Sequence, residues 1–160
     1  MSTDAQDRVT AADKRSPPKP TSGQLRQLAA ARVKSAPRTD LIDQVRQGLP
    51  FRMLEALARD LGMTSNRLAE AFLGISRATL TRRRKRGQLT PEESDKVLRF
   101  SRLLQQATDL MEGDAAAGRR WLGAPLPVLG SESPLEYART EIGAHELEQL
   151  IGRLEHGVYS

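Results

Sequence analysis

The residue types most able to do chemistry lie in one short segment, residues 75–87, which reads ISRATLTRRRKRG. Six of its side chains are cationic and none is acidic. Guanidinium groups form bidentate hydrogen bonds to guanine and to phosphate, so a helix that carries them is suited to the major groove of DNA. The segment therefore predicts the second, recognition helix of a helix-turn-helix.

Helical geometry divides this segment into an inner and an outer face. Gly74 provides the turn before the helix, and Ser76 provides its N-terminal cap. Ile75 and Leu80 are then expected to pack against the preceding helices. The outward stripe is left to contact a partner.

The predicted DNA site combines this stripe with the other cations of the helix. The positions expected to reach base edges, or to cap the helix beside them, are Ser76, Arg77, Ala78, Thr81, Arg82 and Lys85. The positions expected to contact phosphates are Arg83, Arg84 and Arg86. Two simpler interpretations stay open: a solvated basic face, and phosphate binding without sequence readout.

The residues that enzymes and metal sites use do not form a recognisable set. The chain has no Cys, which excludes disulfides and thiolate metal sites. His145 and His156 stand eleven residues apart, too far along a helix to share one metal ion. Neither a glycine-rich phosphate loop with its lysine nor a Gly-x-Ser-x-Gly nucleophile motif is present. We therefore expect no catalysis, no cofactor and no metal.

Two short amphipathic helices are predicted to hold the basic segment. The first starts near Pro50 and ends at Gly62, with apolar residues spaced by three or four: Phe51, Leu54, Leu57, Ala58 and Leu61. The second is capped by Thr64 or Ser65 and ends before Gly74. Its apolar face consists of Leu68, Ala69, Phe72 and Leu73.

A longer helix is expected after the basic segment. Thr90-Pro91-Glu92-Glu93 combines a capping residue, a proline at the first position and a capping-box glutamate. The helix should run to about Glu112, and its wide apolar stripe predicts a central position. Shorter helices are predicted at about 41–47, 115–122, 134–138 and 144–155. The fold class is therefore all-α.

Charge is distributed unevenly along the chain. The net charge is +5, but residues 1–39 hold eight Lys and Arg against three Asp, whereas residues 129–160 hold six Glu against two Arg. Two different partners are therefore plausible, one of them polyanionic. Residues 1–22 are polar and proline-rich, and we expect them to be disordered. No apolar run approaches a membrane span, so we expect a soluble, cytoplasmic chain.

The C-terminal block carries a second specific pattern. Its ordered elements are Arg120-Trp121-Leu122, Pro125, Leu129-Gly130, Pro134, Thr140-Glu141-Ile142-Gly143-Ala144 and Leu154-Glu155-His156-Gly157-Val158-Tyr159. This series resembles the toxin-binding domain of Xre/MbcA/ParS-type antitoxins. The segments at 75–83 and 89–95 resemble the Xre-type helix-turn-helix that precedes it in that family. One departure is Glu70, which stands four residues before Gly74 where many such motifs place a small residue, and it predicts an altered helix crossing.

The sequence predicts three regions: a basic, disordered N-terminal region at 1–39, a helix-turn-helix domain with its long helix at 40–112, and a helical toxin-binding domain at 113–160. The resemblance covers about residues 50–160, and the first 49 residues lie largely outside it. The resemblance implies a type II antitoxin that neutralises a cognate toxin and represses its own operon. The usual partner in the family is a RES-domain toxin that depletes NAD, and some relatives pair with ADP-ribosyltransferases. The positions implied to contact the toxin are Glu155, His156, Gly157, Val158, Tyr159 and Ser160.

The sequence leaves two other functions open. A plain helix-turn-helix regulator would use its C-terminal domain to dimerise or to sense a ligand, and a nucleoid-type or RNA-binding protein would use charge alone. A homodimer is expected, because operators are commonly palindromic. The apolar stripe of the 91–112 helix could form the dimer surface or be buried within one chain.

Overall fold

The computed structural model describes residues 38–157, which are mainly helical and contain no strand. The predicted all-α fold class is confirmed. Its α-helices in chain order are α1 (Arg38–Gln47), α2 (Arg52–Asp60), α3 (Ser65–Leu68), α4 (Arg77–Arg86), α5 (Pro91–Leu110), α6 (Ala115–Gly123), α7 (Pro134–Tyr137) and α8 (Glu141–Glu155). The expectations for residues 1–37 and for Val158, Tyr159 and Ser160 lie outside the described residues.

The long helix α5 organises the core. The predicted capping box is present, because the Glu93 amide donates to Thr90 Oγ1 at 3.2 Å and the Thr90 amide donates to Glu93 Oε2 at 2.8 Å. Helices α1, α2, α6 and α8 pack against α5. The chain's own elements cover the apolar stripe, which consists of Val97, Phe100, Leu103, Leu104 and Ala107. Of the two roles that the sequence left open for this stripe, burial within one chain is the observed one.

The first half of the bundle differs from the sequence prediction in one helix. We expected a regular helix from Thr64 or Ser65 to Gly74. Thr64 is the cap, since its side chain accepts the Arg67 amide at 3.1 Å. However, only α3 is α-helical, and the segment Ala69–Leu73 continues as a π-helical turn. Period alone did not reveal this change, because Leu68, Ala69 and Leu73 are buried as predicted.

The last helix begins earlier than predicted. We expected a start at Ala144, but α8 begins at Glu141 with Thr140 as its cap. Gly143 argues for a helix boundary by propensity. In the structure it is required inside the first turn, because a Cβ atom at this position would lie 2.0 Å from the Tyr137 carbonyl oxygen. A tertiary contact has therefore overridden the local preference.

A second glycine allows α6 to approach α5 closely. A Cβ atom on Gly118 would lie 2.8 Å from the Thr108 amide nitrogen, so only glycine fits this crossing without a shift. Next to it, Leu122 is fully buried, whereas Trp121 is only partly buried. Trp121 therefore lies at the margin of the core. Within residues 38–157, none of the helices is long and apolar enough to cross a lipid bilayer.

Two glycines of α8 make a paired test of this packing. We predict that Gly143→Ala destabilises the protein by about 1–3 kcal/mol, because the added methyl group meets backbone that cannot move freely. Gly152→Ala should be neutral or stabilise by about 0.5–1 kcal/mol, because nothing lies within 4 Å of its Cβ position and Ala favours helix. Urea unfolding of both variants measures the difference. Equal effects would contradict the proposed close contact at Gly143.

Candidate functional site

The turn that leads into α4 has the predicted geometry. Gly74 is left-handed, with φ 68° and ψ 31°, a conformation that glycine adopts without strain. The Ile75 amide then donates to the Ala69 carbonyl at 2.8 Å. Ser76 caps α4, since its Oγ accepts the Thr79 amide at 3.3 Å. The predicted turn and cap are both confirmed.

The π-helical turn explains the departure at Glu70. A π turn holds one more residue than an α turn, so it shifts every earlier position by one relative to Gly74. The small residue at the buried position is therefore Ala69, which is fully buried. Glu70 instead faces solvent, where its Oε1 lies 3.1 Å from Arg77 Nε. The side chain of Glu70 therefore does not enter the core, and the effect of this residue on the helix crossing stays a prediction.

Helix α4 lies on the core through few apolar contacts. Leu80 is its one buried residue, and Ile75 is buried just before its cap. Most of the predicted DNA-binding positions are exposed together: Ser76, Arg77, Ala78, Thr81, Arg82, Arg84, Lys85 and Arg86. Their roles in binding stay predictions. The exception to exposure is Arg83.

Carboxylates from neighbouring elements accompany three of the cations on α4. Arg83 Nε donates to both oxygens of Glu93, at 3.0 and 2.8 Å, in a half-buried ion pair. Arg84 lies 3.5 Å from Glu55 of α2, and its guanidinium carbon is 5.2 Å from the centre of the Phe51 ring. Arg77 pairs with Glu70. The sequence alone did not indicate these partners, because each pair joins different elements of the fold.

The surface implied for toxin contact is only partly described. Glu155 ends α8, and His156 follows as its C-cap. Gly157 is left-handed, with φ 63°, and terminates the helix. All three residues are exposed. The other three predicted positions, Val158, Tyr159 and Ser160, lie outside the described residues.

Polar contacts that the sequence did not reveal join the helix-turn-helix to the C-terminal helices. Lys96 Nζ donates to the Leu73 carbonyl at 2.9 Å, one residue before the Gly74 turn. The buried Arg99 pairs with Glu141 at the start of α8. One helical turn later, Arg102 Nη2 lies 3.2 Å from Glu148 Oε1. One face of α5 therefore links both halves of the structure, and the predicted boundary at residue 112 remains untested.

A cleft of about 620 Å³ lies between the helix-turn-helix and the C-terminal helices. Its walls include Phe72, Lys96, Tyr137, Ile142 and Glu146. The Tyr137 hydroxyl donates to the Glu146 carboxylate, and this hydrogen bond is the main reason that the pKa of Tyr137 is raised above its usual value. Across residues 38–157, the histidines and carboxylates form no cluster of three or more that could hold a metal ion.

Comparison with protein families finds two adjoining matches. Residues 40–102 match the antitoxin Xre-like helix-turn-helix domain, and residues 106–157 match the antitoxin Xre/MbcA/ParS C-terminal toxin-binding domain. The two spans meet inside α5, which packs against both halves of the bundle. The helix-turn-helix identified from the sequence is thus confirmed.

Several curated proteins are similar to this chain. A protein of Yersinia enterocolitica named Antitoxin Xre is 38% identical over 123 residues, which cover 76% of this chain and 82% of that protein. Another Antitoxin Xre, from Photorhabdus laumondii, is 39% identical over 75 residues, covering 47% of this chain and 51% of that protein. A Prs ADP-ribosylating antitoxin from a Sphingobium species is 23% identical over 130 residues, covering 76% and 81%.

The apolar contact that holds α4 can be tested directly. We predict that Leu80→Ala destabilises the protein by about 2–5 kcal/mol, because it leaves a cavity beneath the helix. Thr81→Ala, at the next and exposed position, should change stability by less than about 0.5 kcal/mol. Chemical denaturation of the two variants gives the comparison. A small loss for Leu80→Ala would mean that α4 does not depend on this contact.

Proposed function

The chain belongs to the Xre antitoxin family, and on that premise we propose that it neutralises a cognate toxin through its C-terminal domain and binds operator DNA through α4. The observation that carries this proposal is the presence of both family domains, in order, on one continuous core. The basic helix and the acidic last helix then serve two partners of different chemistry. The proposal assigns the chain no catalysis of its own.

The toxin is proposed to be a RES-domain, NAD-degrading protein. The family resemblance supports this choice, and the toxin-binding domain supports a toxin partner in general. The Sphingobium relative is named for an ADP-ribosylating system, so an ADP-ribosyltransferase is the second candidate. We propose that the tail from Glu155 to Ser160 lies against the toxin's active site. Tyr159 would supply an aromatic stacking surface and a hydroxyl group to a pocket that binds a dinucleotide.

On the DNA side, we propose that a homodimer represses transcription of the chain's own operon. One α4 helix contacts only a few base pairs, so two copies on a palindromic site would supply specificity. Because α5 buries its apolar stripe within the chain, the dimer must use another surface. Both partners would be met in the cytoplasm.

The alternative is a plain transcription regulator whose C-terminal helices dimerise or sense a ligand. The cleft between the two halves is the feature that favours it, because its walls come from both the helix-turn-helix and the C-terminal helices. The identity of the adjacent gene separates the two functions. A toxin gene next to this one would support the antitoxin function. The absence of a toxin partner would favour the plain transcription regulator.

Removing the tail tests neutralisation. We predict that a chain ending at Gly157 fails to protect cells that express the cognate toxin, because the residues proposed to reach the active site are absent. The same chain should still bind operator DNA, since α4 and its supports are unchanged. Co-expression growth assays and DNA-binding titrations measure the two properties. Full protection by the shortened chain would refute the proposed role of the tail.

Replacing one exposed arginine tests DNA readout. We predict that Arg82→Ala weakens operator binding by about 1–3 kcal/mol and relaxes its sequence preference, because a bidentate contact to guanine is lost. Arg153→Ala, which removes an exposed arginine from α8, should leave operator binding unchanged. Titrations on operator and on random duplex measure both effects. Equal losses on the two duplexes would make Arg82 a phosphate contact instead.

A further inference from the structure

The rotation of α4 about its own axis is weakly fixed by apolar packing. Leu80 is its single buried side chain. One buried side chain within a helix constrains rotation about the helix axis weakly, whereas a binding group must stay within about 0.5 Å of its productive position. A second contact on the same side of α4 is therefore needed to fix the direction in which the opposite, exposed face points.

The ion pair between Arg83 and Glu93 is this second contact. Arg83 lies three residues after Leu80, so both side chains project from the same face of α4. The Arg83 side chain is 20% exposed and that of Glu93 12%, so water screens this pair less than the pairs at Arg77 and Arg84. The Arg83 guanidinium is thus directed toward α5 and away from the exposed stripe.

Glu93 is itself held in place. One of its oxygens, Oε2, accepts both Arg83 Nε and the Thr90 amide, each at 2.8 Å. The carboxylate therefore belongs to the capping box of α5, the helix that the core immobilises. Through this one carboxylate, the orientation of α4 is coupled to that of the buried helix α5.

The cations of α4 consequently divide into two sets. The partnered set contains Arg77, Arg83 and Arg84. Within the described part of the chain, no carboxylate forms an ion pair with the second set, which consists of Arg82, Lys85 and Arg86. Helical spacing places Arg82 and Lys85 opposite Leu80 and Arg83, beside Ala78 and Thr81. These side chains face the solvent that a DNA duplex would replace.

We propose that Glu93 is a positioning residue for DNA binding and acts through Arg83. This inference rests on the proposed function, and it replaces the predicted phosphate contact at Arg83 with an orienting role. The positioning role predicts a change in DNA affinity that is opposite in direction to the change expected from charge alone. Removing a carboxylate near a polyanion should tighten binding by electrostatics. If Glu93 positions α4, loss of its ion pair with Arg83 weakens DNA binding instead.

The experiment compares Glu93→Gln with Glu92→Gln. Glu92 is the exposed neighbour, and hydrogen bonds from its own backbone amide and from Thr90 lower its pKa, so each variant removes one negative charge from the same helix end. The probes are a duplex from the region upstream of the gene and a random duplex of equal length. We expect Glu93→Gln to bind the upstream duplex about tenfold more weakly, a loss within the range of coupled contacts. Glu92→Gln should stay within about twofold of the unaltered chain.

Binding by Glu93→Gln that equals or exceeds that of the unaltered chain would overturn the positioning role. If the unaltered chain itself did not prefer the upstream duplex, the proposed operator binding would fail instead, so the two failures are distinguishable.

The variant Arg83→Gln distinguishes an orienting role of Arg83 from a direct phosphate contact. It leaves the capping box intact, so it still tests the proposal if Glu93→Gln does not fold. We expect a similar loss of affinity with an unchanged salt dependence, and a double variant that binds no worse than either single one. A direct phosphate contact would reduce the salt slope by about one. That reduced slope, or additive losses in the double variant, would contradict the inference.

Discussion

The burial of α5 is the constraint on which the rest of the structure depends. Val97, Phe100, Leu103 and Ala107 are fully buried along one side of this helix. The elements that cover them come from both before and after α5 in the chain, since α2 and the π-helical turn pack on one part while α6 and α8 pack on another. Neither half could bury its apolar face without this shared helix. The two family domains are thus separate as sequence patterns but joined as a physical core.

Polar contacts contribute to the attachment of α4, which the apolar core contacts through few residues. Helix α4 has little apolar surface, because six of its ten residues are Arg or Lys. Its attachment therefore relies on ion pairs with Glu93, Glu55 and Glu70 in addition to Leu80. Exposed pairs of this kind contribute little free energy, whereas the half-buried pair at Glu93 is less screened and better defined. The cations of α4 are therefore not equally available to a binding partner, because three of them already pair with carboxylates of the same chain.

The same α5 helix offers a physical route between the two proposed binding surfaces. Lys96 holds the carbonyl of Leu73 beside the turn, and Arg99 and Arg102 hold the start and middle of α8. Sequence reasoning could not find these contacts, because charged residues on a predicted helix are ordinarily assigned to solvent. Arg99 is the instructive case: it interrupts an apolar pattern and is buried, with Asp95 at 3.8 Å and Glu141, 42 residues away, as its ion-pair partners. Asp95 can be read from its spacing of four residues, whereas Glu141 becomes visible only when α8 is placed.

The sequence by itself determined the helical class, the turn at Gly74, the cap at Ser76 and the capping box at Thr90, because caps and periods depend on residues that are close in the chain. It also identified the family, through ordered motifs in both halves. Only the tertiary structure decided that Ala69 takes the buried place beside Gly74, that Gly143 belongs inside α8, and that Arg83 turns toward Glu93. Each of these depends on contacts with another element of the fold, even though that element lies only five to ten residues away in the chain. Local preference cannot specify such contacts, since the energy that selects them exists only once the segments have packed.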